Sequence, residues 1–207
     1  MVNPIKWFGD SRTTVEKFSR LGRRLAAGEL FRVQAGAEPL DWKPLRTIGA
    51  GAREIRVHAE HDYRIIYVAQ SSKAVYVLHA LEAKAGDALK ARAPELTALS
   101  ENGADDEDDS KHKIKMERGC GNVFGDVGFA PAEAHNMLLR AELALRAERF
   151  IKDKKLTQAA AAKALGLAQP RLNQLLRGKF EVFSIDALVK MLIKAGLRVE
   201  LRVKNTA

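Results

Sequence analysis

The hydrophobic pattern changes period twice along this chain, and the changes divide it. Residues 5–8 (IKWF) read as a short strand closed by Gly9-Asp10. Asp10 or Ser11 can cap a helix running to about Arg20. A second helix over roughly residues 22–35 sets Leu21, Leu25, Leu30 and Val33 on a plausible buried stripe. From Leu45 the period drops to two. Residues 52–58 (AREIRVH) alternate, residues 63–68 (YRIIYV) are denser in apolar side chains, and residues 74–80 (AVYVLHA) follow. The connections His61-Asp62 and Ser71-Ser72-Lys73 are of hairpin length, so these segments predict an antiparallel meander with the early helices on one face. Residues 81–99 read as a closing helix that Gly86 and Pro94 interrupt.

The pattern then vanishes over residues 101–110 (ENGADDEDDS), which have nothing to bury and mark the best domain boundary in the chain. Beyond it, residues 122–129 (NVFGDVGF) are studded with apolar side chains but too rich in glycine to fold alone. A long helix opens at Pro131 and runs to about Lys154, with Leu138, Leu139, Leu143, Leu145 and Phe150 as buried candidates. Residues 156–180 (LTQAAAAKALGLAQPRLNQLLRGKF) predict two short helices around a tight turn. Thr157 caps the first, Gly166 ends it, and Pro170 sits in the opening turn of the second. In the second helix Leu172, Leu175 and Leu176 share one side, leaving Gln169, Arg171, Gln174 and Arg177 outward. An apolar back and a Gln/Arg front suit a DNA recognition helix, because Arg can grip guanine and Gln adenine in the major groove. The same spacing also fits an ordinary helical hairpin with a solvated polar face.

Ser184 caps a further helix over residues 185–195, ended by Gly196. The tail, residues 197–203 (LRVELRV), alternates strictly and predicts an amphipathic strand. A lone strand must find another sheet, and the same strand from a second copy is the economical partner, so a homodimer through this strand and its neighbouring helices is expected. The predicted fold class is α+β: helices on a small antiparallel sheet over residues 1–100, an acidic linker over 101–117, and a helical helix-turn-helix domain over 118–207.

Charge sharpens this division. The chain has 207 residues and net charge +9. Residues 1–100 are net +5 and residues 118–207 net +8, flanking a connector of net −4. Two basic blocks point to polyanionic partners for both halves. Cys120 is the lone cysteine, which excludes an internal disulfide and a cysteine-built zinc site. His58 and His61 lack an evident third ligand, so no metal is expected, and no cofactor. Gly49-Ala50-Gly51 is too short for a phosphate loop and fits a turn before a strand. With no apolar signal core and no apolar run near the ~20 residues that span a bilayer, a soluble cytoplasmic protein without membrane contact is expected.

Both halves resemble known families. The segments KWFGDS, FRVQAGAEPLDWKPLRTIGAGAREIRV, YRIIYVAQ and YVLHALEAK within residues 1–84 resemble the phage-derived branch of the HigB/RelE toxins. GNVFGDVGF, LTQAAAAKALGLAQPRLNQLLRGKFEVFS and GLRVELRV within 120–203 resemble the matching HigA-type antitoxins, whose helix-turn-helix is similar to that of phage repressors. These are normally separate proteins, so the resemblance implies a toxin–antitoxin fusion. Toxins of this kind are similar to ribosome-dependent endonucleases that cut mRNA without metal. Such cleavage needs a base, an acid for the leaving 5′-oxygen, and cations for the phosphorane charge.

By resemblance, Arg56 and Arg64 are candidates for phosphate stabilisation, and Tyr67, His79 or Lys84 for proton transfer. Lys43, Arg46 and Arg53 are candidates for RNA binding. Each carries a structural alternative, such as Arg56 as a partner of Glu54 or Glu60, and Tyr67 as core. In the antitoxin half, Gln158, Gln169, Arg171, Gln174, Arg177 and Lys179 are the DNA-binding candidates, and Val123, Phe124, Val127 and Phe129 the residues that would cover the toxin. The implied partners are operator DNA and, for the toxin, ribosome and mRNA. One departure stands out. Lys84 lacks the paired lysines and full basic helix that usually follow, because Ala83, Gly86 and Pro94 replace them. This departure removes part of the family's basic C-terminus, and a DNA-binding regulator with an inactive toxin fold is the alternative reading.

Overall fold

A computed structural model describes residues 2–49, 51–69, 74–83, 94, 97, 115–200 and 202. It falls into two compact units, Met1–His135 and Asn136–Ala207.

The first unit is built on a six-stranded sheet in the order β2-β3-β4-β5-β1-β6. β3 (Ala52–His58), β4 (Asp62–Ala69) and β5 (Val75–Glu82) form the predicted antiparallel meander. β1 (Ile5–Phe8) lies parallel to β5, with Ile5 opposite Val75. Two strands escape the sequence pattern. β2 (Trp42–Pro44) adds to β3 at one edge, and β6 (Met116–Arg118) pairs antiparallel with β1 at the other. Three residues are too few to show a period, so neither announces itself.

The first helix, α1 (Ser11–Glu16), stops earlier than predicted, and α2 (Arg20–Gln34) starts after a turn whose Ser19 Oγ accepts from the Gly22 N–H. Within that turn Phe18 stacks on Tyr63, ring centroids 4.0 Å apart, which anchors the helix pair to β4. Gly22 is needed there, since a Cβ would lie 2.5 Å from the Tyr63 ring. The buried stripe of α2 also differs from the prediction. Leu30 and Val33 are buried with Ala26, Ala27 and Phe31, while Leu21 and Leu25 are only half-buried. Small residues let this helix lie close to the sheet, so alanines do the work expected of leucines.

The sheet is buried on both faces. Ile55, Tyr63, Ile65 and Tyr67 share the face under the helices, while Phe8, Leu45, Ile48, Ala52, Ile66, Val68, Tyr76 and Leu78 form a core cluster on the other. Side chains alternate along a strand, so neighbours in sequence serve different faces. Downstream of β6, a single helical turn, α3 (Val123–Asp126), is capped by the Asn122 side chain, which accepts from the Phe124 N–H.

The long helix α4 (Pro131–Asp153) leads into the second unit. Of its predicted core, Leu145 is buried, Leu138, Leu143 and Phe150 are half-buried, and Leu139 is exposed. Ala134, Met137, Ala141, Ala144 and Ala147 carry the burial instead. Next come α5 (Gln158–Leu165) and α6 (Gln169–Leu176), a 3-10 turn (Phe180–Val182) and α7 (Ile185–Lys194). The tail departs from the prediction: residues 197–200 and 202 form no strand with any described segment, and Leu201 and Val203 lie outside the described residues. A ladder needs a neighbour, and an alternating pattern alone does not supply one.

Candidate nucleic-acid interfaces

On the sheet face opposite the helices, a carboxylate with no exposed surface sits among three cations. Glu54 Oε1 accepts from Arg56 Nε at 3.2 Å and lies 3.5 Å from Lys43 Nζ; its Oε2 is 3.6 Å from Arg64 Nη1. Register explains the meeting: Lys43 pairs across from Glu54 on β2, Arg56 follows two residues later, and Arg64 is opposite Arg56 on β4. A buried carboxylate is costly unless compensated, and three cations compensate it with charge to spare. Lys43, Arg56 and Arg64 remain 39%, 40% and 34% exposed, so the surplus faces water. Arg56 also reaches Asp41, at 3.9 Å. The ion-pair alternative for Arg56 is therefore what the structure contains, with Glu54 as the partner.

The proton-transfer candidates do not converge. His79 is opposite Ile66, which puts it on the triad's side of the sheet; it is buried, with Nδ1 4.0 Å from Asp10 Oδ1. Tyr67 is fully buried on the helix side, its Cα partner on β3 being Arg53. Burial pushes the Tyr67 phenol above its ordinary value, with the Arg53 guanidinium pulling the other way. Tyr67 and Arg64 are an odd number of positions apart on β4, whose register with β3 is unbroken, and so point to opposite faces. Lys84 lies outside the described residues.

The same parity separates the RNA-binding candidates. Lys43 belongs to the Glu54 cluster, whereas Arg53 stacks over Trp42 with its guanidinium carbon 4.4 Å from the ring centroid. Arg46 is exposed on the following loop, and Arg46, Arg53 and Trp42 line one cleft.

The segment after the acidic stretch is fastened to the first unit. Gly9 N–H donates to Lys115 O and Gly119 N–H to Ile5 O, each at 2.9 Å, framing the β1–β6 ladder. Asp126, only 2% exposed, accepts from Trp7 Nε1 at 3.3 Å and from the Cys120 N–H at 2.8 Å. Three arginines of α1 and α2 hold the segment. Arg12 donates to Asp126 O and pairs with Glu117, Arg23 donates to Val127 O and lies over the Phe129 ring at 5.0 Å, and Arg20 pairs with Glu133 at 2.6 Å. Val123, Phe124, Val127 and Phe129 are all buried, with α3 against α2. They therefore pack beside the helices rather than over the Lys43–Arg56–Arg64 triad. Burial raises the Cys120 thiol above its usual value.

In the second unit the two short helices follow the predicted chemistry. Thr157 Oγ1 accepts from the Ala160 N–H, Gly166 adopts a left-handed φ of 66°, and Pro170 occupies the first turn of α6. Leu172 and Leu175 are buried, while Gln158, Gln169, Arg171, Arg177 and Lys179 are exposed and Gln174 is half-buried. Arg171 rests its guanidinium carbon 4.5 Å from the Phe183 ring centroid.

Two family models match this chain. Residues 123–204 match a helix-turn-helix domain, and residues 14–104 match the family described as phage derived protein Gp49-like. The chain joins a Gp49-like domain to a helix-turn-helix domain. Among curated proteins, none matches it. The helix-turn-helix match begins at residue 123, yet the first compact unit runs to His135, so the opening residues of that match are packed with the Gp49-like domain. Sequence reasoning named Glu54 only as an alternative partner of Arg56 and passed over Asp126, because a buried acid looks like any other acid until its partners are in place. The exposed polar front of α6 needed no partner to be seen. No described helix is long and apolar enough to cross a membrane, and no cluster of three metal-ligating side chains occurs among the described residues.

Proposed function

We propose that this protein is a toxin–antitoxin fusion. Its Gp49-like domain is an mRNA-interferase-like toxin, and its helix-turn-helix half is a HigA-type antitoxin that binds operator DNA as a homodimer and represses its own promoter. The observation that carries this reading is the shared segment: residues 123–135 belong to the helix-turn-helix match and are packed with the Gp49-like domain. An antitoxin contacting its toxin through the stretch before its DNA-binding helices would leave that arrangement when the two genes are joined. In this reading Arg56, Arg64 and Lys43 hold the phosphate, whose negative charge competes with Glu54 for the same cations. His79 is the group on that face best suited to carry a proton near neutral pH.

A second reading is favoured by one observation. Arg56 and Arg64 are both engaged by Glu54, and Tyr67 is buried on the far face. This supports a DNA-binding regulator carrying a catalytically silent toxin fold. Expression of residues 1–100 and of residues 1–135 separates the two. The fusion reading expects growth arrest and cleavage of translated mRNA from residues 1–100, relieved when residues 111–207 are supplied separately. Harmless but folded fragments would leave the regulator reading, in which only promoter binding survives.

A further inference from the structure

At the β2 edge, on the side of the sheet away from the cationic triad, lies a cluster that the proposed cleavage does not use. Trp42 and Arg53 stack there as described, and with Arg46, Gly49 and Gly51 they line a cleft of about 540 Å³. That volume lies in the ~300–1,000 Å³ range of small-ligand sites. Its lining holds one large aromatic ring, two guanidinium groups and no carboxylate. Arg53 pairs with Glu38 at 3.7 Å, with side chains 38% and 67% exposed; such a pair holds its members weakly. Gly51, which lines the cleft, has a φ of +87°, a conformation that side-chain-bearing residues rarely adopt.

This inventory selects its ligand. A flat π-surface joined to positive charge fits a group that is itself flat and carries a phosphate. Inorganic phosphate would use the arginines and leave the indole idle. A duplex would present phosphates but keep its bases stacked inside. An unpaired nucleobase uses both, since bases stack on aromatic rings and on guanidinium planes. We propose that the Trp42–Arg53 cleft holds an unpaired base of single-stranded RNA, with Arg46 meeting the flanking phosphate. The choice of RNA rests on the reading of the Gp49-like domain as acting on mRNA. The cleft is a substrate-holding site, separate from the groups proposed to do the cleavage.

Tryptophan fluorescence of the full chain tests it directly. The protein has two tryptophans, Trp7 buried and Trp42 half-buried, so a base stacking in the cleft quenches Trp42 alone. The probes are a short 2′-O-methyl adenosine oligonucleotide, which cannot be cut, a duplex of equal length, adenosine monophosphate and inorganic phosphate. The single strand should quench, and Trp42→Phe should abolish the change. Arg53→Lys, which keeps the charge but loses the plane, should weaken binding about 5- to 150-fold, the loss of one stacked base. Unchanged circular dichroism shows that each variant folds.

Equal quenching by duplex or by phosphate would overturn the proposal, as would wild-type affinity in Arg53→Lys. Adenosine monophosphate binding as tightly as the oligonucleotide would make this a free-nucleotide site and overturn the RNA assignment. The underlying reading fails separately: quenching without mRNA cleavage by residues 1–100 that circular dichroism shows to be folded sinks the ribonuclease reading alone, and cleavage without quenching sinks the cleft alone.

Discussion

A single imidazole ties the β3–β4 hairpin to the loop before β2. His58 Nδ1 lies 2.7 Å from Asp62 Oδ1 and its Nε2 lies 3.0 Å from Asp41 Oδ2. Both carboxylates favour the imidazolium, Asp41 first and Asp62 next, and they raise the folded-state pKa above the ordinary value of 6.5. The sign of the pH effect follows. A raised pKa means the folded state holds the proton more tightly, so the stabilisation is complete below about 6.5 and is lost as pH rises through the higher folded value. Melting temperatures of the protein and of His58→Gln, compared from pH 5.5 to 8.5, should differ at the acid end and converge at the alkaline end. A constant gap would show that the bridge contributes by packing and not by charge.

Glu54 makes the opposite kind of prediction at the same scale. Glu54→Gln removes the carboxylate from three cations, two of which it meets within 3.5 Å. Charge-assisted bonds are worth about 1.5–3 kcal/mol, but all three partners reach water, so a loss near the lower figure is expected in urea unfolding. RNA affinity should move the other way, because Arg56 and Arg64 no longer share an internal acid. The salt dependence of binding should steepen by roughly one phosphate contact. A variant that loses stability without any change in salt slope would mean that these cations do not meet RNA.

Elements were legible in proportion to how locally they are encoded. The helix-turn-helix could be read because each of its signals acts within a few residues: the Thr157 cap, the Gly166 turn, the Pro170 start and the Leu172/Leu175 back. The meander could be read because three alternating runs lie one hairpin apart. What could not be read was pairing across long separations. Nothing in IKWF says it will lie parallel to residues 75–77, and nothing in Met116–Arg118 says it will complete that edge. The candidate site was only partly legible for a related reason: the type of each residue was visible, but the face it would occupy depended on parity, which set Tyr67 and Arg53 apart from Arg64 and Lys43. For α6 the functional prediction is correspondingly firm. Arg171→Ala should cost about 1–3 kcal/mol in operator binding and relax base preference, whereas Lys179→Ala should weaken all sequences alike and lower the salt slope by about one. Electrophoretic mobility shifts over a salt series check both. Loss of base preference in Lys179→Ala instead would mean that the reading face is displaced along the chain.

On the scale of the whole molecule, the covalent connection between the halves matters less than the segment that follows it. A tether that holds two partners at an effective concentration near millimolar favours their association by roughly 4 kcal/mol over separate pieces at micromolar concentration. The docked segment adds four buried apolar side chains, at ~1.5–3 kcal/mol each before ordering costs, together with the β1–β6 ladder and the buried Asp126 held by Trp7 and the Cys120 amide. A cut between residues 101 and 110 should therefore leave the two pieces together. With a site-specific protease sequence placed there, the cleaved protein should elute from a sizing column at the volume of the intact chain at micromolar concentration. Asp126→Ala should let the pieces part, because the Trp7 indole and the Cys120 amide lose their buried acceptor at about 1–3 kcal/mol each. If the unsubstituted pieces separate after cleavage, the tether is what holds them, and proteolysis alone would release the Gp49-like domain. If they stay together, any release must also unfold or pull away residues 115–129, which makes the lifetime of that short strand and helical turn the quantity that sets the response.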